Sequence, residues 1–231
     1  MSEPSTTSEI LSLVEREVLG RSEDAYSVER LSQLAASVDS AQYFAANMFR
    51  CTRSATKGDY LRKSIEACSV EGLALEFGVH KGGTINFIAS QIKQTIFGFD
   101  VFFTGLPEDW QGMARAGHFR VAELPDVRPN VELVVGLFED TLPTFVDTHP
   151  GPIRILHVDC DLYSSAKTIF KFAGHKIAKG TVIMFDEYFN YPGWRLHEFR
   201  AFQEFIEWAG LRYEYLCSVT SHQQVSVVIT T

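Results

Sequence analysis

Leu73-Ala74-Leu75-Glu76-Phe77-Gly78-Val79-His80-Lys81-Gly82-Gly83-Thr84 is the stretch on which the reading of this chain turns. A short apolar run carrying one acid gives way to a glycine-rich turn, and Ile85, Phe87, Ile88 and Ile92 follow at helical spacing. Strand, turn and helix in that order make half of a nucleotide-binding βαβ unit. Glycine lets such a turn bend tightly and lets backbone approach a ligand, while the free N–H groups that open a helix attract an anion. A carboxylate suits them as well as a phosphate. Gly78, Gly82, Gly83 and Thr84 are the residues expected to meet the ligand. The structural alternative is a turn whose glycines only pack helix on strand.

Gln94-Thr95-Ile96-Phe97-Gly98-Phe99 reads as the next strand and delivers Asp100 to its tip, 22 residues after Gly78. In this fold class an acid about 20 residues past the glycine turn binds ribose hydroxyls. The spacing of Gly78, Gly82 and Gly83 is not the G-x-G-x-x-G of dinucleotide sites. Glu76 also argues against a dinucleotide, because an acid there repels a pyrophosphate yet suits an ammonium group. S-adenosylmethionine (SAM) has an amine, a carboxylate and a ribose and no phosphate.

Further strands follow at Val131–Val135, Ile153–Val158 and Thr181–Phe185, with helical patterns between them. Repeated βα alternation predicts a doubly wound, mainly parallel sheet with helices on both faces. The last two apolar runs, 212–216 and 225–229, are separated by eight residues. A parallel return needs about a dozen or more, so the last strand is expected to be antiparallel. The layout is a seven-stranded, Rossmann-like sheet over residues 70–231, preceded by a helical extension over 1–69. Residues 1–7 read as polar and disordered, and Thr6 to Glu9 as a capping box for a helix carrying Ile10 to Val18. Further helices are expected from Ser27 and around Tyr60 to Ile65. They form either a packing layer, through which copies of the chain could associate, or a lid over the ligand. The loop 102–126 is long, and long loops in compact domains are often functional.

Ligands of doubly wound sheets lie outside the carboxyl ends of the strands. Asp159, Asp186 and Glu187 fall at the tips of adjacent strands and are expected to converge there. Clustered carboxylates raise one another's pKa unless a cation compensates, and an all-oxygen set suits Mg²⁺. Such an ion could orient an acceptor hydroxyl, with Asp159 as ligand and proton acceptor. Asp161 reads as a cap of the following helix. His157 reads as a hydrogen-bonded core residue and His118 as an alternative base. Phe189 to Trp194 form either a border of the acceptor site or a packed aromatic corner.

Composition narrows the partners. A formal charge of −8 disfavours nucleic acid and anionic membranes and leaves small molecules open. Cys51, Cys68, Cys160 and Cys217 show no C-x-x-C pair, and there is no basic-then-apolar leader and no membrane-length apolar run. A cytoplasmic protein is expected.

The segments Leu75 to Val79 with Gly82-Gly83, Gly98 to Asp100, Gly105 to Trp110, Gly136 to Pro143, His157 to Tyr163 and Phe185 to Tyr188 resemble the macrocin O-methyltransferase family of class I SAM-dependent enzymes. The resemblance covers about residues 70–231. It implies methyl transfer to a hydroxyl of a sugar or natural product. It would place Glu76, Gly78, Thr84 and Asp100 around SAM, Gly136 and the following Phe138 near the adenine, and Asp159, Asp186 and Glu187 on Mg²⁺, with Asp159 as base. Glu187 stands where that family shows a second aspartate. Two other functions remain. Tyr163 and Lys167 have the Y-x-x-x-K spacing of NAD(P)-dependent short-chain oxidoreductases, and a non-catalytic SAM-binding regulator would also use the glycine turn.

Overall fold

The computed structural model describes residues 27–111 and 113–231. The capping box, the helix expected over 10–18 and the polar stretch 1–7 lie outside the described residues. In chain order the elements are α1 (Val28–Asn47), β1 (Thr52–Ser54), α2 (Lys57–Glu66), β2 (Leu73–Phe77), α3 (Gly83–Gln91), β3 (Ile96–Asp100), β4 (Val131–Val135), α4 (Phe138–Thr148), β5 (Ile153–Val158), α5 (Tyr163–Ala173), β6 (Ile177–Phe185), α6 (Glu198–Ala209), β7 (Tyr213–Val219) and β8 (Val225–Ile229).

The strands form one sheet in the order β1-β7-β8-β6-β5-β2-β3-β4. β4, β3, β2, β5 and β6 run parallel, and β8 lies antiparallel between β6 and β7. This is the expected doubly wound sheet with an antiparallel last strand, widened from seven strands to eight. The addition is β1, three residues in the segment expected to be wholly helical, which pairs parallel with β7 in the register Thr52↔Cys217. β7 shares the direction of β6, since both are antiparallel to β8. The C-terminal end of β1 therefore opens at the same edge of the sheet as the tips of β2, β5 and β6.

Side chains alternate across each strand, so the sheet divides two cores. Leu75, Phe77, Leu156, Val158, Ile183 and Phe185 pack with α4, α5 and α6. Ala74, Ile155, Val182 and Met184 pack with α2 and α3. α2 is fixed by Tyr60, whose hydroxyl donates to the carbonyls of Phe185 and Val225 at 3.2 and 2.9 Å, and by a 2.7 Å bond between the Ser64 and Ser226 hydroxyls.

α1 packs against the aromatic corner and β7, and no residue of it borders the cavity described below. Arg195 donates twice to Asp39, at 2.8 and 2.9 Å, and stacks on Trp194 and Tyr43. Tyr43 shares a 2.5 Å hydrogen bond with Tyr215 on β7. Phe189, Tyr191 and Trp194 are buried, which makes 189–194 the packed aromatic corner. No helix of the described residues is long and apolar enough to cross a membrane.

Candidate functional site

Strand tips and the turns after them enclose a cavity of about 640 Å³, within the usual range for small-molecule and cofactor sites. One end is the glycine turn. Gly78 has φ 93°, and a Cβ there would lie 1.7 Å from the Asp159 carbonyl oxygen, so only glycine lets β2 and β5 run this close at their tips. Gly82, at φ 79°, caps α3 without a side-chain bond. Gly83 and Thr84 then present the first turn of α3 to the cavity, where free N–H groups suit a carboxylate.

Asp100 borders the same end. One of its oxygens accepts from the N–H groups of Val79 and His80 at 2.8 and 2.7 Å, and the other accepts from Phe102 at 2.8 Å. The carboxylate thus holds the glycine turn in shape and keeps acceptor capacity on the second oxygen. Leu137 and Phe138, opening α4, supply an apolar wall. Gly136 lies behind them, turning the chain at φ 142°. The long loop closes the cavity with Gly105 to Glu108, Trp110 and Phe119, whereas exposed His118 is not on the wall.

Glu76 is a correction. It is fully buried and borders no part of the cavity, because alternation along β2 aims it at the α2/α3 side of the sheet. There it meets its register partner His157, whose Nδ1 lies 3.3 Å from its carboxylate. Burial raises the Glu76 carboxyl and His157 opposes that rise. His157 is buried as expected and faces an acid, but neither of its ring nitrogens makes a hydrogen bond.

The acids at the other end divide into two sets that share Asp159. Donor atoms of His157, Asp159 and Asp186 lie within 4.8 Å of one another, as do those of Asp159, Asp161 and Glu187. Among the described residues Asp159, Asp186 and Glu187 form no such group, which corrects the expected Mg²⁺ ligand trio. Asp186 and Glu187 are consecutive at the tip of β6 and serve different neighbours. One Asp186 oxygen is 2.5 Å from the Lys57 ammonium, and the other accepts from Gln224 at 3.3 Å. The same ammonium is 3.7 Å from Asp159. Burial opposes the charge on Lys57, but Asp186 and Asp159 more than offset it and hold the ammonium above the ordinary lysine range. Both oxygens of Asp186 are thus in use, and the expected trio does not fit a divalent ion.

Burial, then Asp186, raise the Asp159 carboxyl, and Lys57 opposes them. Burial, then Asp159, raise Glu187, one of whose oxygens is buried without a hydrogen-bond partner. Asp161 is no helix cap. Leu162 occupies the cap position, and Asp161 sits at φ 62° on the cavity wall with its carboxyl pushed up to about 7 by burial, then Asp186 and Asp100.

Glu198, fully buried on α6, was not visible as a site residue. It accepts from the N–H groups of Cys160, Asp161 and Glu187 at 3.0, 3.1 and 3.4 Å and so ties two strand tips together. Burial, opposed by those bonds, pushes it up to about 8. Lys57 was missed too, since one lysine after an irregular stretch carries no signal. The Tyr163 and Lys167 pair does meet, the ammonium donating to the phenol oxygen at 2.9 Å, but the phenol donates onward to Glu204 at 2.6 Å. Ser164, Ser165 and Thr168, and not this pair, face the cavity from α5.

A family model described as a methyltransferase domain matches residues 75–188, from within β2 to just past β6. The O-methyltransferase NovP is similar in structure at a TM-score of 0.55 and 22% identity, over 76% of this chain and 80% of that one. CalS11, described as a calicheamicin methyltransferase, is similar at 0.59 and 18%, over 97% and 94%. An apo structure of CalS11, described as a TDP-rhamnose 3'-O-methyltransferase, is similar at 0.51 and 17%, over 98% and 96%. No curated protein sequence matches. These likenesses establish the class I methyltransferase fold, and the family match is to methyltransferase domains at large, not to the macrocin group.

Proposed function

We propose that this chain is a SAM-dependent methyltransferase that acts on a hydroxyl of a small molecule, of the sugar or natural-product class, with Asp159 as the base. The observation that carries this reading is the cavity itself. A glycine turn with uncapped helix N–H groups and a ribose-directed acid form one end, and Asp159 is a partly exposed carboxylate on the same wall, its side chain 26% exposed. The methyltransferase-domain match over residues 75–188 supports it, and the O-methyltransferases among the similar folds are in keeping with a hydroxyl acceptor.

Gly83 and Thr84 at the start of α3 would hold the carboxylate of SAM, Asp100 a ribose hydroxyl, and Leu137 with Phe138 the adenine. Bound there, SAM supplies a methyl group on a sulfonium. Asp159 accepts the acceptor's hydroxyl proton as the oxygen becomes nucleophilic, and returns that proton to solvent afterwards. Burial and Asp186 raise its carboxyl, and the Lys57 ammonium opposes that rise and so favours the charged form that a base needs.

Asp159→Asn should lower methyl transfer by about 100-fold or more, the usual contribution of a general base. Affinity for S-adenosylhomocysteine should stay within about threefold, because the glycine turn is untouched. Labelled SAM with a panel of hydroxylated acceptors measures the first, and calorimetry the second. Undiminished transfer in the variant removes Asp159 from the base role.

A further inference from the structure

We propose that Lys57 is the resident cation of this site, its ammonium doing at Asp159 and Asp186 what a divalent ion would otherwise do. This rests on the methyltransferase reading and adds to it a residue from outside the matched domain.

Three observations converge on Lys57. It is the first residue of α2, capped by Thr56, whose hydroxyl accepts from the Asp59 N–H at 3.1 Å. The helix dipole disfavours a cation there, and this local cost is offset by Asp186 at 2.5 Å and Asp159 at 3.7 Å. Second, β1 pairs parallel with β7 and ends at the carboxyl edge of the sheet, so the chain emerging from it carries Lys57 to the strand tips. Third, Lys57 faces the cavity as Asp159 does. A hydroxyl brought to Asp159 therefore also meets an N–H donor that can stabilise the oxygen as its proton leaves. Lys57 stays protonated throughout, and only Asp159 exchanges a proton.

Placing a doubly charged ion on Asp159 and Asp186 would set it within a few ångströms of that ammonium, and like charges at this range in a mostly buried site repel strongly. Lys57 and the ion therefore exclude one another at this pair.

Electron paramagnetic resonance of Mn²⁺ with the full-length protein tests the proposal. Wild type should show no saturable binding below about 1 mM, a weak regime even for carboxylate sites. Lys57→Met, which keeps the stem and removes the charge, should bind Mn²⁺ at least about tenfold more tightly, and adding Asp186→Asn should abolish the gain. Micromolar binding by wild type that is lost in Glu187→Gln overturns the proposal, because the ion then sits with Asp159 and Asp161 regardless of Lys57. A folded Lys57→Met that gains no affinity overturns it as well. Circular dichroism checks folding, and if Lys57→Met does not fold the wild-type titration decides alone. Calorimetry with S-adenosylhomocysteine runs in parallel. Absence of that binding in wild type defeats the methyltransferase reading and not the exclusion of metal by Lys57.

Discussion

Asp161 holds a left-handed backbone at the turn into α5, and its carboxyl, pushed up to about 7 from 3.8 by burial, then Asp186 and Asp100, keeps its proton well above the ordinary carboxylate range. An acid whose pKa is higher folded than unfolded binds more protons in the native state, so stability is greatest below the unfolded value and falls as pH rises through the folded one. Between about pH 4 and pH 7 the melting temperature should decline, and in Asp161→Asn the decline should be shallower. Scanning calorimetry of both proteins across that interval checks this, and equal slopes would show that Asp161 does not titrate there. The other raised acids, Glu76, Asp159, Glu187 and Glu198, act with the same sign, and the last three lose part of their rise in the variant because Asp161 contributes to it, which flattens the slope further. An aspartate just ahead of a helix reads as a cap from local pattern alone. Here its φ of 62° and the neighbouring Glu198, which takes the N–H groups of both Cys160 and Asp161, give it a place on the cavity wall instead.

Among the elements, the junction of β2 and β5 is the least tolerant. A Cβ on Gly78 meets backbone at 1.7 Å and no flexible side chain can yield, so the two central strands would have to part. Gly78→Ala should cost more than about 2 kcal/mol, combining left-handed strain with the clash. Urea unfolding checks it, and a loss within about 0.5 kcal/mol, the range of unremarkable surface changes, would contradict the geometry. α1 is held differently, by a half-exposed ion pair and by rings. Removing the Arg195 side chain should cost only about 1 kcal/mol, as exposed pairs are screened and the stack on Trp194 adds a modest share. Hydrogen exchange should quicken across α1 in Arg195→Ala, while affinity for S-adenosylhomocysteine stays the same, because no residue of α1 borders the cavity. A marked loss of that affinity would restore the lid reading.

At the scale of the whole molecule, a ligand that binds only the folded chain stabilises it by mass action. S-adenosylhomocysteine at a hundred times its dissociation constant should add about 2.7 kcal/mol, a rise in melting temperature of about 5–10 °C for a chain of this size, while NAD should add nothing. A shift with NAD alone would favour the oxidoreductase, whose Tyr163 and Lys167 pair faces Glu204 outside the cavity. The sequence by itself determined the sheet, its antiparallel last strand and the glycine turn with Asp100, because each rests on short-range order: period-two strands, an eight-residue return, and glycines that must bend. It also placed Asp159, Asp186 and Glu187 at neighbouring tips, since parallel topology brings acids after strands to one edge. Only the tertiary structure decided which way each acid faces and what charge it meets. Glu76 turned to His157, Asp186 to Lys57 and Glu187 to Asp159 and Asp161, and the short strand that delivers Lys57 pairs with a partner some 165 positions along the chain. Three residues of unpatterned strand carry no local signal, and their pairing partner exists only after β7 has joined the sheet, so that part of the site is set by long-range contact and not by pattern.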